Sequence, residues 1–370
     1  MTVKQIAGSA NDFQIVHHVT ATGDQQAIGR LLAAQAAQVF GWRPQPVDPE
    51  LNRARMAWFA EHWPQHHARI EGARALWAEE HGGASADGLT FDGLTGMAMG
   101  CSALWVPPSA STDGHGRIGR NYDFFTLTTS ELMGLGEPQP GELPMAGRPH
   151  VVTTVPDDGL ASTVVSMSDL DGAMDGINEA GLAVALLMED YAQTEPPTDS
   201  TPGIGVSSVQ LLRYVLDTCE DTEQAKTALK GLPTYDFGMP LHYIVADAAG
   251  RAFVWENGGA FEVGDAALCV TNHPLRHHPD PRSLPEDGEL TMTTFARLRS
   301  IFDASRGVTM SPESLRAALR EVQAGQDSPW RTTWNTVFDT HDRTMAVRFY
   351  LGDGEREPRY TEELLFTAGV

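Results

Sequence analysis

Cysteine is scarce in this chain: Cys101, Cys219 and Cys269 are the only three in 370 residues. They form no CxxC and no even set, so neither a disulfide scaffold nor a thiolate zinc site is indicated, and at least one thiol stays free. Positive charge is also short. Lys and Arg number 26 against 49 Asp and Glu, a formal net charge of −23, which argues against a nucleic-acid partner because a phosphate backbone needs a basic surface. No apolar run approaches the ~20 residues that span a bilayer. The N-terminus, "MTVKQIAGSANDFQIVHHV", carries one Lys and no long apolar core, so a secretory signal is not expected. A cytoplasmic location and no membrane partner are the expectations. No repeat and no low-complexity tract stands out.

Hydrophobic residues make up 41% of the chain, with 36 Gly and 23 Pro, the profile of a globular, turn-rich protein forming one large domain or two ordinary ones. Residues 12–40 read as a short strand, a turn and an amphipathic helix, and 50–81 as helices interrupted at Pro64. From Cys101 onward, short apolar strands alternate with Gly/Asp turns: "CSALWVP", the turn "DGHG", then "RIGRNYDFFTLTT". "VVTTV", "STVVSMS" and "GLAVALLME" continue the strand pattern. "SVQLLRYVLDTCEDTEQAKTALKGL" reads as two helices broken near Asp221. "PLHYIVADAAGRAFVWE" reads as a hairpin and "FEVGDAALCVTNHP" as another strand pair. Two helices, "TTFARLRSIFDAS" and "SPESLRAALREVQ", precede the closing hairpin "TTWNTVFDTHDRTMAVRFYL". Strands in blocks and helices in blocks predict an α+β fold of antiparallel sheets with segregated helices. The loops 134–150 and 193–205 are expected to border a pocket.

Cys101 follows a glycine in "MGCSALW". As a buried thiol it would pack well in an apolar strand. As a nucleophile it needs a base or a lowered pKa. If Cys101 were the first residue of its chain, its own α-amino group, with a pKa near ~8, would be a competent base at neutral pH. The thiol can create that terminus itself by attacking the carbonyl of Gly100, shifting the acyl group from nitrogen to sulfur and releasing it to water.

Six segments, in order, resemble the linear-amide C–N hydrolases, the choloylglycine hydrolase group of N-terminal-nucleophile enzymes that includes bile salt hydrolases, penicillin V acylases and isopenicillin N acyltransferases. They are "CSALWV…DGHGRIGRNYDF", "DGINEAGLAVALL", the helix-then-hairpin region 207–256, "LCVTNHP", "TTFARLRSIF" and "TTWNTVFDTHDRTMAVRF". The resemblance implies an αββα sandwich of two stacked antiparallel sheets between helix layers. It implies Cys101 as nucleophile with its freed amine as base, Asp123 holding that amine, and Arg120 beside the thiolate. It further implies Asn272 as a donor to the tetrahedral oxyanion and Arg297, with Arg299 two residues away, in the polar network. Asn178 and Gly181 are expected to shape a turn.

Two departures narrow the resemblance. Met188 stands where bile salt hydrolases carry asparagine and penicillin V acylases tyrosine, which sets conjugated bile salts and penicillin V aside as expected substrates. About 100 residues precede Cys101, an arrangement similar to the isopenicillin N acyltransferase branch. The expected organisation is therefore a pro-segment, 1–100, cleaved between Gly100 and Cys101 but retained as a small subunit, and a catalytic domain, 101–370. The expected activity is hydrolysis of a small-molecule N-acyl amide through an S-acyl enzyme, with no cofactor. Acyl transfer to an amine is the near alternative, and a homo-oligomer is compatible with the chain. The histidines of "HPLRHH" (273–278), with His66 and His67, raise a metal-binding alternative. They show no fixed ligand spacing, and no metal is expected there. A non-catalytic relative that keeps its leader attached is the third reading.

Overall fold

The computed structural model describes residues 2–92, 100–132, 134–189, 203–235, 240–256, 258–288, 291–328 and 330–369. The chain opens with strands β1 (Thr2–Ala7) and β2 (Val16–Gly23) and helices α1 (Gln25–Phe40), α2 (Pro49–His62) and α3 (Pro64–Glu80). Asp24 caps α1 by accepting from the Ala27 N–H, and Gly41, at φ 64°, ends it in a left-handed turn. Asp48 accepts from two backbone N–H groups at the start of α2. Pro64 forces the break between α2 and α3 because it has no N–H to continue the first helix.

Strands β3 (Cys101–Val106) and β4 (Arg117–Phe124) follow, then β5 (His150–Pro156), β6 (Ser162–Ser166), β7 (Asp175–Asn178) and β8 (Ala183–Met188). Helices α4 (Leu211–Thr218) and α5 (Thr222–Lys230) are separated at Asp221, whose carboxylate caps the second. The chain continues through β9 (Leu241–Ala246), β10 (Ala252–Glu256), β11 (Gly259–Phe261) and β12 (Leu268–Val270). Helices α6 (Thr294–Ser305) and α7 (Pro312–Arg320) lead to β13 (Arg331–Asp339), β14 (Thr344–Asp353), β15 (Pro358–Tyr360) and β16 (Leu364–Thr367).

Two large sheets result. One has the order β1-β2-β5-β6-β7-β8-β9-β10-β11; the other has β12-β3-β4-β13-β14-β15, with β16 also on β14. They face each other through β8 against β3 and β4, and through β10 against β12. Helices α1, α4 and their neighbours cover the first sheet, and α6 and α7 the second, so the layers are αββα. Central strands are therefore buried on both faces, which is why β3, β4 and β8 read as continuous apolar or buried runs rather than alternating ones. Among the described residues no helix is long and apolar enough to cross a membrane.

Three features differ from the sequence expectation. The sheets are not wholly antiparallel: β2 runs parallel to β5, from His17 opposite His150 to Gly23 opposite Pro156, a pairing that needs the long helical crossover between them. The stretch "FEVGDAALCVTNHP" does not form one strand pair, because β11 joins β10 in the first sheet while β12 joins β3 in the second. β1, β15 and β16 lie on the peripheries of the sheets, where their partly exposed residues give little apolar signal.

The residues before Cys101 are built into this sandwich. α1 and α3 cross backbone to backbone: a Cβ on Gly29 would lie 2.0 Å from the Arg69 carbonyl oxygen, and one on Gly72 2.0 Å from that of Gln26. This contact turns buried charges of α3 toward the rest of the chain. Arg69 pairs with Asp171 at 2.6 Å and with Asp217, and Trp63 Nε1 donates to Asp217 at 3.0 Å. His66 sits between Asp92 at 2.8 Å and Asp171 at 2.9 Å. Burial alone would lower its pKa, but the two carboxylates hold it at about 9.

Candidate active site

Cys101 is the first residue of β3 and is fully buried. The register places it opposite Tyr122 and Ala103 opposite Arg120, so these side chains share the face turned toward the first sheet. Arg120 Nη2 donates to Cys101 Sγ at 3.4 Å and to the Leu186 carbonyl at 2.5 Å. Its Nε lies 3.1 Å from Asp175 Oδ1, an ion pair with no exposure on either side. Asp175 also accepts from Trp334 Nε1 at 2.7 Å and Thr336 Oγ1 at 2.9 Å. The guanidinium is stacked over the Tyr122 ring, which in turn lies flat on Trp334. Arg120 is thereby held in one position beside the sulfur.

The opposite face carries Ser102, and here α6 reaches in. Arg297 Nη1 donates to Ser102 Oγ at 2.8 Å and to the Cys101 carbonyl; its Nη2 donates to Asn272 Oδ1 at 2.6 Å. Asn272 Oδ1 also accepts the Cys101 backbone N–H at 3.0 Å, while Asn272 Nδ2 donates to the Met188 carbonyl at 2.7 Å. Thr294 fixes the asparagine by accepting its backbone N–H at 2.8 Å. Arg299 points elsewhere, donating to the carbonyls of Leu284 and Pro285.

Gly100 and Asp123 meet in front of the thiol. The Asp123 N–H donates to the Gly100 carbonyl at 2.8 Å. A Cβ on Gly100 would come within 3.3 Å of Asp123 Oδ2 and 3.5 Å of Trp330 Nε1. The position therefore needs a small residue for room. The Asp123 carboxylate accepts from Thr332 Oγ1 at 2.5 Å.

Burial dominates the electrostatics. It pushes the Cys101 thiol up, against the opposing pull of Arg120 and of the Met188 backbone N–H that hydrogen-bonds the sulfur. Burial also pushes Asp123 up to about 6, opposed by Arg297, Thr332 and Arg120. Arg297 is lowered by burial, with Asp123 working in the other direction. With its nitrogen still in an amide, Cys101 is a protonated thiol at neutral pH, and attack requires a nearby proton acceptor.

The structure thus brings Cys101, Gly100, Arg120, Asp123, Met188, Asn272 and Arg297 into one site. In the uncleaved chain the Cys101 peptide N–H donates to Asn272 Oδ1, and the Asn272 amide donates to the Met188 carbonyl. Asn178 shapes the expected turn, accepting from Ala180 and Leu182 while donating to the end of α4. Asp175, Ser102, Thr294 and Thr332 had no role in the sequence reading. Asp175 lay inside the quoted "DGINEAGL" segment, and its buried charge opposite an arginine was the available signal; the hydroxyls gave none.

A cleft of about 850 Å³ opens beside the site, lined by Asp123, Met292, Ala296, Arg297, Val322 and Trp330 among others. Its described lining comes from Asp123, from residues 288–300 and from residues 321–330, and none from 134–150; residues 193–202 lie outside the described residues. Of the histidines in "HPLRHH", His273 and His278 pack on Phe295, and His66 is held by aspartates. Among the described residues, two other groups collect metal-binding side chains: Glu189, His242 and Glu256, and His115, Asp339, His341 and Asp342. The first is an internal ion-pair network, with Arg276 on Glu189 at 3.0 Å and the Leu275 and Arg276 N–H groups on Glu256.

The family model for acyl-coenzyme A:6-aminopenicillanic acid acyl-transferase matches residues 110–354. Among solved structures, a mutant of the conjugated bile acid hydrolase from Clostridium perfringens is 16% identical, covering 73% of this chain and 97% of its own, with a TM-score of 0.47. Penicillin V acylase from Agrobacterium tumefaciens is 18% identical over 67% of this chain and 82% of its own, at 0.43. The N-acylethanolamine-hydrolyzing acid amidase ortholog of Caenorhabditis elegans is 14% identical over 65% and 93%, at 0.41. An uncharacterized protein of Paramecium bursaria Chlorella virus 1 is 27% identical over 153 residues, 38% of this chain; the chain spans about half, 52%, of the length of that curated relative.

Proposed function

The chain belongs to the acyl-coenzyme A:6-aminopenicillanic acid acyl-transferase family, and on that premise we propose that it is a self-processing amide hydrolase whose nucleophile is Cys101. The observation that carries this reading is the junction itself. The sulfur is next to a fixed cation, Arg120, and the carbonyl just before it already accepts the Asp123 N–H.

In self-cleavage the Cys101 thiolate adds to the Gly100 carbonyl carbon. The developing oxyanion keeps the Asp123 N–H as a donor, the kind of preorganised contact that stabilises a tetrahedral intermediate. We assign the thiol proton to the Asp123 carboxyl, which burial pushes up to about 6, and from it back to the departing nitrogen. Collapse breaks the Gly100–Cys101 amide, leaving a thioester and a free α-amine. Water then hydrolyses the thioester to a Gly100 carboxylate and a Cys101 thiol.

In turnover the α-amine, oriented by Asn272 Oδ1, accepts the thiol proton, and the sulfur attacks a small-molecule N-acyl amide. The Met188 N–H on the sulfur is the oxyanion donor that the arrangement favours, with Asn272 fixing that peptide through its carbonyl. The α-ammonium protonates the leaving amine, and water releases the acid from the S-acyl enzyme. This reading assigns residues 1–100 the role of a retained small subunit, supported by the β2–β5 pairing and the buried ion pairs of α3. The family's name favours a second reading of the same intermediate, in which an amine rather than water accepts the acyl group.

The test is the intact mass, under denaturing conditions, of wild type beside Cys101→Ala. Two chains divided at Gly100/Cys101 in wild type and one chain in the variant are expected. A single chain in both, or cleavage in both, overturns the proposal. Hydrolysis of N-acyl amides without an added amine distinguishes the hydrolase from the transferase.

A further inference from the structure

At the far end of the catalytic sheet from Cys101, two hairpin turns bring four ligating side chains together. β3 runs from Cys101 to Val106, Val106 pairs with Arg117, and Arg117 with Asp339, so this cluster lies on the order of 15 Å along the strands from the nucleophile. His115 comes from the turn "DGHG" between β3 and β4; Asp339, His341 and Asp342 come from the turn between β13 and β14, which closes with Arg343 at φ 58°. We propose that His115, Asp339, His341 and Asp342 form a binding site for a divalent transition-metal ion of the zinc class, joining the two turns.

The geometry carries the proposal. Every one of the four donor atoms lies within 4.8 Å of the others. His115 Nδ1 is 3.0 Å from Asp339 Oδ2 and 3.7 Å from Asp342 Oδ2, and His341 Nδ1 is 3.1 Å from Asp342 Oδ1. A tetrahedral ion with bonds of about 2.0–2.1 Å separates its ligands by about 3.3 Å, so the observed spacings bracket what zinc requires. Two imidazoles with two carboxylates is a borderline-soft nitrogen and oxygen donor set suited to zinc rather than to calcium or magnesium.

The surroundings are consistent with a cation. Three carboxylates, Asp113, Asp339 and Asp342, meet one guanidinium, Arg117, giving a local charge of −2 with neutral imidazoles. Arg117 lies 2.6 Å from Asp339 Oδ2 and is itself gripped by Asp113. Asp339 Oδ1 accepts the His341 and Asp342 N–H groups, which fixes the carboxylate from behind and leaves Oδ2 toward His115. The His115 and His341 rings stack at 4.1 Å, so the two imidazoles from the two turns lie side by side. No such site is legible in the sequence, because His115 and His341 are 226 positions apart and converge only through the β4–β13 register.

The site is independent of the amide chemistry, so its test reads metal and not activity. The full chain is stripped with chelator and titrated with ZnCl₂ by calorimetry, and with CoCl₂ by visible absorption, beside His115→Ala and His341→Ala. One equivalent of Zn²⁺, tetrahedral Co²⁺ bands, and at least about tenfold weaker affinity in each variant are expected. Thermal midpoints of the metal-free variants close to that of metal-free wild type show that they fold. No saturable binding in wild type, or one equivalent bound equally well by both variants, as by Glu189, His242 and Glu256, overturns the proposal.

Discussion

The backbone N–H of Asp123 points at the carbonyl oxygen of Gly100 across 2.8 Å, while the side chain of the same residue lies against the Gly100 Cα. One residue thus faces both the oxygen and the carbon side of the junction ahead of Cys101. An added methyl at position 100 would press on the Asp123 carboxylate at 3.3 Å. Gly100→Ala is expected to slow self-cleavage about tenfold or more, because the peptide must shift off its donor. Gly88→Ala, where a Cβ meets nothing within 4 Å, should leave the rate unchanged. A time course of chain separation on a denaturing gel checks the pair, and equal rates in the two variants would count against the role given to this contact.

Arg297 and Arg299 are two residues apart and face different surroundings. Arg297 holds Cys101, Ser102 and Asn272 together, whereas Arg299 holds two loop carbonyls and lies 3.8 Å from the exposed Glu286 carboxylate. Arg297→Ala is expected to lower amide turnover by about 100-fold through misplaced Asn272 and Cys101. Arg299→Ala should stay within about twofold of wild type. Steady-state rates on one N-acyl amide, with near-ultraviolet circular dichroism as the folding control, decide between them.

The Arg120–Asp175 pair has no exposure on either side. Arg120→Met leaves a buried carboxylate with only neutral donors, and about 3–5 kcal/mol of stability should be lost. Adding Asp175→Asn to it removes the orphaned charge and should recover part of that loss. Urea unfolding of the two single variants and the double variant measures the coupling; strict additivity would contradict it.

His66 supplies a pH signature. Its pKa is raised from the ordinary 6.5 to about 9 by hydrogen bonds to Asp171 and Asp92 that outweigh burial. A raised histidine contributes stability that is fully present below about 6.5 and fades as pH climbs through about 9. The chain should therefore lose on the order of 3 kcal/mol between these limits, and His66→Gln should flatten that slope. Denaturant midpoints measured at pH 6 and pH 9 test it.

After cleavage, residues 1–100 and 101–370 are expected to elute together under native conditions, since β2 lies against β5 and α3 sends Arg69 into Asp171 and Asp217. Asp217→Ala removes one of the two carboxylates on Arg69 and the acceptor of the Trp63 N–H and should loosen the pair. Size exclusion at rising urea, followed by denaturing electrophoresis of each fraction, reads the separation.

Much of this architecture was legible before any coordinates. Pro64 and Asp221 punctuate helices by local chemistry, and those boundaries stand where the sequence puts them. The strand of Cys101 is visible because burial on both faces makes β3 apolar but for Ser102, whereas β4 carries Arg117, Arg120, Asn121 and Asp123. What sequence could not supply was partnership across distance. The parallel β2–β5 pair, the split of β11 and β12 between two sheets, and the contact of Asn272 with the Cys101 nitrogen all depend on register between remote segments. Arg297 was separated from Arg299 only by the phase of α6 against β3. Asp175 lay within a recognised motif, but its meaning came from the arginine that folding placed against it.

Under the self-cleavage proposed above, the parallel insertion of β2 beside β5 has a kinetic side. Before the junction opens, these strands belong to one chain, and finding each other is a unimolecular search whose rate ignores protein concentration. Once it opens, the same pairing becomes an encounter between two molecules. A mature enzyme that has been fully unfolded must then regain its structure at a rate that falls with dilution, whereas Cys101→Ala refolds equally fast at any dilution. The break that frees the amine of Cys101 thereby makes the folding of the precursor an event the mature protein cannot repeat on the same terms.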